Sequence, residues 1–224
     1  MDRYRYEWVK GKYLIRRGCD LVVTPGGNPF STIYEDLAAM ICEDMDRYGA
    51  DPLDSLSYVT LHASYMDFGF IVAKSELVRS LLVRYRPEWD VALRQLNLLR
   101  SVASWPFTAW GPASSGMTLD LKLYLGAPEQ IQAIQAWLEN LSVRAICSAQ
   151  VCSTAFHSIH VGYRLLHPRS PISVSTLAQG ITTVSDMIHP FFADEDDPEN
   201  TRENIMTFLE KVKSYASFPD EKLS

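Results

Sequence analysis

The chain has no long apolar run, no surplus of basic residues and only four cysteines, and each lack removes a class of function. Ala145 to Tyr163, one of its two longest stretches without a charged side chain, is interrupted by Gln150, His157, His160 and several serines. That is too polar for a lipid-facing span, so a soluble chain without membrane insertion is expected. The first fifteen residues hold no apolar core stretch of the kind a secretory signal needs. An intracellular setting follows as the expectation: bacterial cytoplasm, or the mitochondrial matrix if the source is eukaryotic and a presequence is absent from this chain. A net charge of -6 on 224 residues argues against a generic nucleic-acid binder, which needs a basic stripe to neutralise phosphates. Cys19, Cys42, Cys147 and Cys152 lack metal-knuckle spacing. Cys147 and Cys152 on one helix would diverge by roughly 140°, which excludes a disulfide within it. Four free, mostly buried thiols in a reducing compartment are expected.

What is present is a 47% apolar chain, ample for a proper core, with an uneven charge. Residues 1 to 17 carry Arg3, Arg5, Lys10, Lys12, Arg16 and Arg17 against Asp2 and Glu7, a local +4 that leaves -10 on the rest. Tyr4, Tyr6 and Trp8 alternate with charged residues there, which reads as a strand of the fold and not as an amphipathic presequence helix. Lys12–Arg17 and Cys19–Val23 are two further strand-like runs split by Gly18, and Thr24-Pro25-Gly26-Gly27-Asn28-Pro29 is a turn. Thr32 stands three residues before Glu35, the spacing of a capping box. Ile33, Leu37, Met40, Ile41 and Met45 then share one helical face as far as Tyr48-Gly49.

A second helix is expected over 53–68 and a third over 75–85, broken at Arg86-Pro87. That break sets the boundary between an N-terminal α/β portion, 1–86, and a mainly helical C-terminal portion, 87–224. In the second portion Pro87 to Val102 should restart a helix with Trp89, Leu93, Leu96 and Leu99 inward, followed by a loop from Trp105 to Gly116. Thr118 to Leu125 alternates without error and is the best strand pattern in the chain. A helix opens at Pro128. The pattern then predicts one long helix from Val143 to Leu166, whose seam Ile146, Ala149, Cys152, Phe156, Ile159, Gly162 and Leu166 is apolar and rich in small residues. Helices from Ser173 to Ile188 and from Pro198 to Tyr215 complete an α+β fold.

Chemistry-bearing clusters are few. His157 and His160 fall on one flank of the predicted long helix with His167 further on, but no carboxylate or cysteine shares that flank, so no metal is assigned. Cys152 and His157, five apart on one helix, diverge and cannot meet as nucleophile and base. The Thr24–Asn28 turn lacks the lysine ending and the glycine spacing of nucleotide loops. Asp194-Glu195-Asp196-Asp197 reads as a solvated helix start, not a calcium loop. No catalytic set, cofactor or metal site is assigned. Trp105, Phe107 and Trp110, aromatics beside prolines, are candidates for a partner-binding patch.

The order Tyr4 and Tyr6, Val23-Thr24-Pro25-Gly26, Leu37-Ala38-Ala39, Asp51-Pro52-Leu53, Asp67 and Trp89-Asp90 resembles the assembly chaperones of the α subunit of F-type ATP synthase, the ATP-twelve-like family. The last third has a similar order, with a long small-residue helix, a serine-initiated helix and an acidic helix. This chain has Glu43-Asp44-Met45-Asp46 where the family ends its first helix in Glu-Trp-Asp, and only Asp186 stands where the family has an acidic cluster. The resemblance implies a divergent member: a non-enzymatic chaperone that binds an unassembled protein subunit, with the ATP synthase α subunit as the client the family suggests. Asp186, Asp194 and Asp196 would be partner-binding, beside Trp105, Phe107 and Trp110. Two other readings stand next to it: a small-molecule enzyme with its site between the two portions, and a scaffold or adaptor in a larger assembly.

Overall fold

The computed structural model describes residues 3–49, 56–84, 128–168, 172–182 and 197–221. Lys10 (φ 50°) and Gly11 (φ 86°) both take positive φ, the two-residue turn whose twist suits a hairpin. They join β1 (Tyr4–Val9) to β2 (Lys12–Arg17), paired from Tyr4↔Arg17 to Val9↔Lys12. The main hairpin therefore lies one strand earlier than the Gly18 pattern implied. Gly18 does turn the chain (φ 60°), but β3 (Asp20–Leu21) pairs with β2 over two residues only. β4 (Ser31–Thr32) pairs with β2 at Tyr13 and Leu14, which closes a four-stranded antiparallel sheet.

Eight α-helices follow among the described residues, so the fold is α+β with its helices after the sheet. They are α1 (Glu35–Tyr48), α2 (Tyr58–Ser64), α3 (Lys74–Arg84), α4 (Pro128–Asn140), α5 (Val143–Ala155), α6 (Ile159–Leu166), α7 (Val174–Thr182) and α8 (Pro198–Ser217). The expected strand at Thr118–Leu125, the helix led by Trp89 and the 86/87 boundary lie outside the described residues.

Three expectations need correction. The Thr32–Glu35 capping box does not form: Tyr34 occupies the cap position with no side-chain bond, because Thr32 belongs to β4 and its hydroxyl is turned inward. Leu37, Ile41 and Met45 are buried as expected, while Ile33 precedes the helix and is exposed. The second helix starts at Ser57, whose hydroxyl accepts from Val59 N–H, and widens after Ser64 into a π-turn, Tyr65–Gly69. The helix predicted over 143–166 is two helices. His157 at φ 51° ends α5, and Ser158 caps α6 by accepting from His160 N–H. A serine well placed to cap outweighed an apolar seam that would have continued. The small residues still allow close approach, but between α5 and α6 themselves: a Cβ at Gly162 would lie 3.3 Å from the Ala149 carbonyl oxygen.

One apolar cluster joins the sheet to the helices, running through Ile15, Phe30, Leu37, Leu61, Ile146, Phe156 and Leu209. At roughly 1.5–3 kcal/mol for each fully buried large apolar side chain, this shared core is the main force that fixes the C-terminal helices against the N-terminal sheet. α8 contributes Ile205, Phe208, Leu209, Val212 and Tyr215, all buried at helical spacing.

Candidate functional site

The π-turn Tyr65–Gly69 sends Tyr65 into the interior and Asp67 toward the Thr24–Asn28 turn, and each ends in a polar cluster. Single π-turns within helices occur often at functional sites. Asp67 receives the Thr24 hydroxyl and, at 2.8 Å, the Asn28 amide on Oδ1, and the Gly26 N–H at 2.9 Å on Oδ2. Gly26 is needed for this approach, since a Cβ there would lie 2.6 Å from Asp67 Oδ1. Thr24, Gly26 and Asp67 thus form one contact that clamps the turn to the π-turn after α2.

Inside, Arg144 is fully buried and pairs with Glu221 at 2.8 Å. Its guanidinium carbon lies 4.1 Å from the Tyr65 ring centre and 4.9 Å from that of Tyr215, so aromatic faces stand where further hydrogen-bond acceptors are lacking. Nε and Nη1 have no hydrogen-bond partner among the described residues. Burial opposes the Arg144 charge, but Tyr215, Glu221 and Tyr65 outweigh it and its pKa lies above the ordinary value. Glu221 Oε1 also accepts from the Thr32 hydroxyl, and the Glu221 N–H donates to the Tyr65 oxygen, both at 2.8 Å. The neighbouring Asp220 accepts the first two N–H groups of α5, those of Val143 and Arg144, at 2.8 Å each. A carboxylate at a helix start meets both unpaired donors and the positive end of the dipole.

His62 extends the cluster. Its Nε2 faces the Ser31 carbonyl oxygen at 2.8 Å, which can only accept, so Nε2 carries the proton and Nδ1 receives the Tyr215 hydroxyl at 2.8 Å. Burial, with Arg144 adding to it, pushes the His62 pKa down to about 3 and keeps the ring neutral. Burial also raises the pKa of Tyr65 and of Tyr215. Every member of this hub is committed to another, and what the hub does is lock β4, the π-turn, α5, α8 and the C-terminal segment together.

A second tie sits at the end of α1. Lys211 Nζ meets Asp44 Oδ1 at 2.6 Å, Tyr58 N–H donates to Asp44 Oδ2 at 2.8 Å, and Asp46 accepts the Tyr4 N–H at 3.0 Å. Asp44 and Asp46 therefore tie the end of α1 to β1, α2 and α8.

The histidines and cysteines of the predicted long helix do not converge on one site. His160 is buried and its pKa is pushed down to about 3 by burial and by Arg164, His157 is exposed, and the His167 ring packs on Tyr163 at 4.9 Å. Among the described residues no group of three or more His, Cys, Asp or Glu is arranged to hold a metal. Burial pushes the thiols of Cys42 and Cys147 up to about 12 and that of Cys152 higher still, while Cys19 is exposed. No described helix is long and apolar enough to cross a membrane. Asp197 caps α8 by accepting from Glu199 and Asn200 N–H, as a helix-start acid should.

The proposed partner-binding residues Trp105, Phe107, Trp110, Asp186, Asp194 and Asp196 all lie outside the described residues. On the described surface, a groove of about 540 Å³ separates α3 from α4, lined by Lys74, Val78, Arg79, Leu82, Gln135 and Glu139. Lys74 crosses it to donate to the Glu139 carbonyl at 2.8 Å. Among the described residues the most exposed large apolar side chains are Ile71 at 71% and, on β1, Trp8 at 57%. Sequence reasoning missed the hub. Its one available signal was Arg144, a lone charge at the edge of the long uncharged stretch. No protein-family model, no curated protein and no solved structure matches the chain.

Proposed function

We propose that the protein is an assembly chaperone that holds an unassembled subunit, of the kind that serves the α subunit of ATP synthase. An unassembled subunit exposes apolar surface and strand edges, and a chaperone covers these until the true neighbour displaces it. The observation that carries the reading is the meeting of Thr24 and Gly26 with Asp67, since residues about forty positions apart that share the family-like order form one contact. The exposed Trp8 and Tyr6 on the outer strand supply apolar surface that such a role uses. In this reading Trp105, Phe107 and Trp110 add an aromatic patch, and Asp186, Asp194 and Asp196 give a carboxylate rim that speeds encounter with a basic client face.

Co-expression with the cognate ATP synthase α subunit tests it. The expected result is a larger soluble fraction of that subunit and a complex on gel filtration. No gain in solubility together with no complex removes the assignment. Combined Asp186→Lys and Asp196→Lys should weaken the complex at low salt and leave thermal stability nearly unchanged; unchanged affinity at low salt removes those acids from the binding surface.

A further inference from the structure

β1 is the outer strand of the sheet among the described residues, and the side it turns away from β2 carries backbone groups that no described strand pairs. Tyr6 is registered opposite Ile15. Ile15 donates its N–H to the Phe30 carbonyl at 2.9 Å and accepts from Val22 N–H at 3.0 Å, both on the far side of β2. The Tyr6↔Ile15 pair therefore exchanges no hydrogen bonds, and the N–H and C=O of Tyr6 point outward. Tyr4 agrees, because its N–H leaves the sheet to reach Asp46 Oδ1 at 3.0 Å. The two-residue period of a strand directs the N–H and C=O of Trp8 outward as well. Among the described residues no strand pairs with that side of β1.

The side chains along this edge divide by face. Tyr6 and Trp8 pack against Tyr13, with ring centres 5.6 and 4.6 Å apart, and share its face with the buried Ile15, forming an aromatic ledge at the rim of the sheet. On the other face the one acid of β1, Glu7, is consumed by Arg16 at 2.9 Å. Arg3, Arg5 and Lys10 have no carboxylate partner among the described residues. A strand laid against this edge meets the Tyr6 and Trp8 rings on one face and Arg5 on the other, with Arg3 and Lys10 at the two ends of β1. A second copy of β1 would bring the same Arg3, Arg5 and Lys10 to the seam while Glu7 is already held by Arg16, so an acidic strand complements this edge better than another β1 does.

We propose that the free edge of β1 receives, by strand addition, an extended client segment in which apolar and acidic side chains alternate. The apolar positions lie over Tyr6 and Trp8, the carboxylates lie beside Arg5 and its basic neighbours, and the backbone groups of Tyr6 and Trp8 supply the pairing. This rests on the capture reading and adds to it the surface and the chemistry of what is captured.

The probe is a fluorescein-labelled decapeptide alternating valine and glutamate, beside its counterpart alternating valine and lysine, each titrated against the full chain. The glutamate peptide should bind at least tenfold more tightly and slow hydrogen exchange at the Tyr6 and Trp8 amides several-fold. Tyr6→Pro removes an outward donor without touching the β1–β2 bonds and should weaken binding at least tenfold. Equal binding of the two peptides, no binding, or binding that leaves those two amides unprotected overturns the proposal, and the exchange result on the wild-type chain decides even if the proline variant misfolds. Folded Tyr6→Pro that solubilises the α subunit as well as wild type does would overturn the edge site and leave capture standing. A wild-type chain that fails to solubilise the α subunit yet shows Tyr6 and Trp8 protection by the glutamate peptide would do the reverse.

Discussion

Arg144 and Glu221, 77 positions apart, meet at 2.8 Å with both side chains closed to solvent. The pair joins the first turn of α5 to the segment after α8, and Thr32 of β4 hydrogen-bonds the same carboxylate oxygen. Desolvating two charges is costly, so the pair adds less to stability than its geometry suggests, but it makes each partner intolerant of the other's loss.

Removing one charge should therefore cost more than removing both. Arg144→Met and Glu221→Leu are each expected to lower unfolding free energy by about 3–5 kcal/mol, with the double variant losing less than either single variant. Urea denaturation of the four proteins gives the coupling. Additive losses would show that the two charges act independently.

The Asp67 clamp offers a second cycle. Gly26→Ala brings a methyl to within 2.6 Å of the Asp67 carboxylate and should cost about 1–3 kcal/mol as an overpacked contact. Gly27→Ala meets no atom within 4 Å but stands at φ 81°, so its cost of about 1–2 kcal/mol is one of backbone strain alone. Asp67→Ala should relieve the Gly26→Ala penalty and leave that of Gly27→Ala unchanged. Equal behaviour of the two glycines in that background would mean that the carboxylate does not set the turn.

Much of the architecture was legible because periodicity and cap chemistry are local. The alternation of Tyr4, Tyr6 and Trp8, the helical stripe Leu37–Ile41–Met45 and the inward face of α8 all follow from spacing alone. The failures share a cause in partners that sequence proximity does not reveal. Thr32 reads as a helix cap until Glu221 claims its hydroxyl from 189 positions away. The bend between α5 and α6 follows from a serine cap competing with an apolar seam, and both signals are present in the chain. Of the candidate site, the Thr24–Gly26 and Asp67 pattern was legible as an order of motifs, whereas the hub of Arg144, Tyr65, His62 and Tyr215 was not, since none of its spacings repeats.

The bend itself can be tested at His157. A non-glycine residue at φ 51° is strained, and its side chain is exposed, so little packing is at stake. His157→Gly should raise stability by about 0.5–1 kcal/mol, whereas His157→Val should lower it by a similar amount or more. A destabilising glycine variant would mean that the histidine ring holds the bend through a contact worth more than the strain.

Two imidazoles held neutral in the interior set the pH dependence of the fold. His62, among Arg144, Tyr65 and Tyr215, and His160, near Arg164, both have pKa values pushed down to about 3, against an ordinary value near 6.5 in the unfolded chain. Well above pH 6.5 neither state binds these protons and stability is unaffected by them. As pH falls below 6.5 the unfolded chain takes up protons that the folded chain refuses, so stability declines until about pH 3. Each histidine contributes a slope of about 1.4 kcal/mol per pH unit, so urea midpoints should be level from pH 8 to 7 and drop clearly between 6.5 and 5, before most carboxylates titrate. His160→Asn should start from a lower stability and lose about half of that slope. A midpoint that holds level down to pH 5, or a slope unchanged in the variant, would show that the rings accept protons while the protein remains folded.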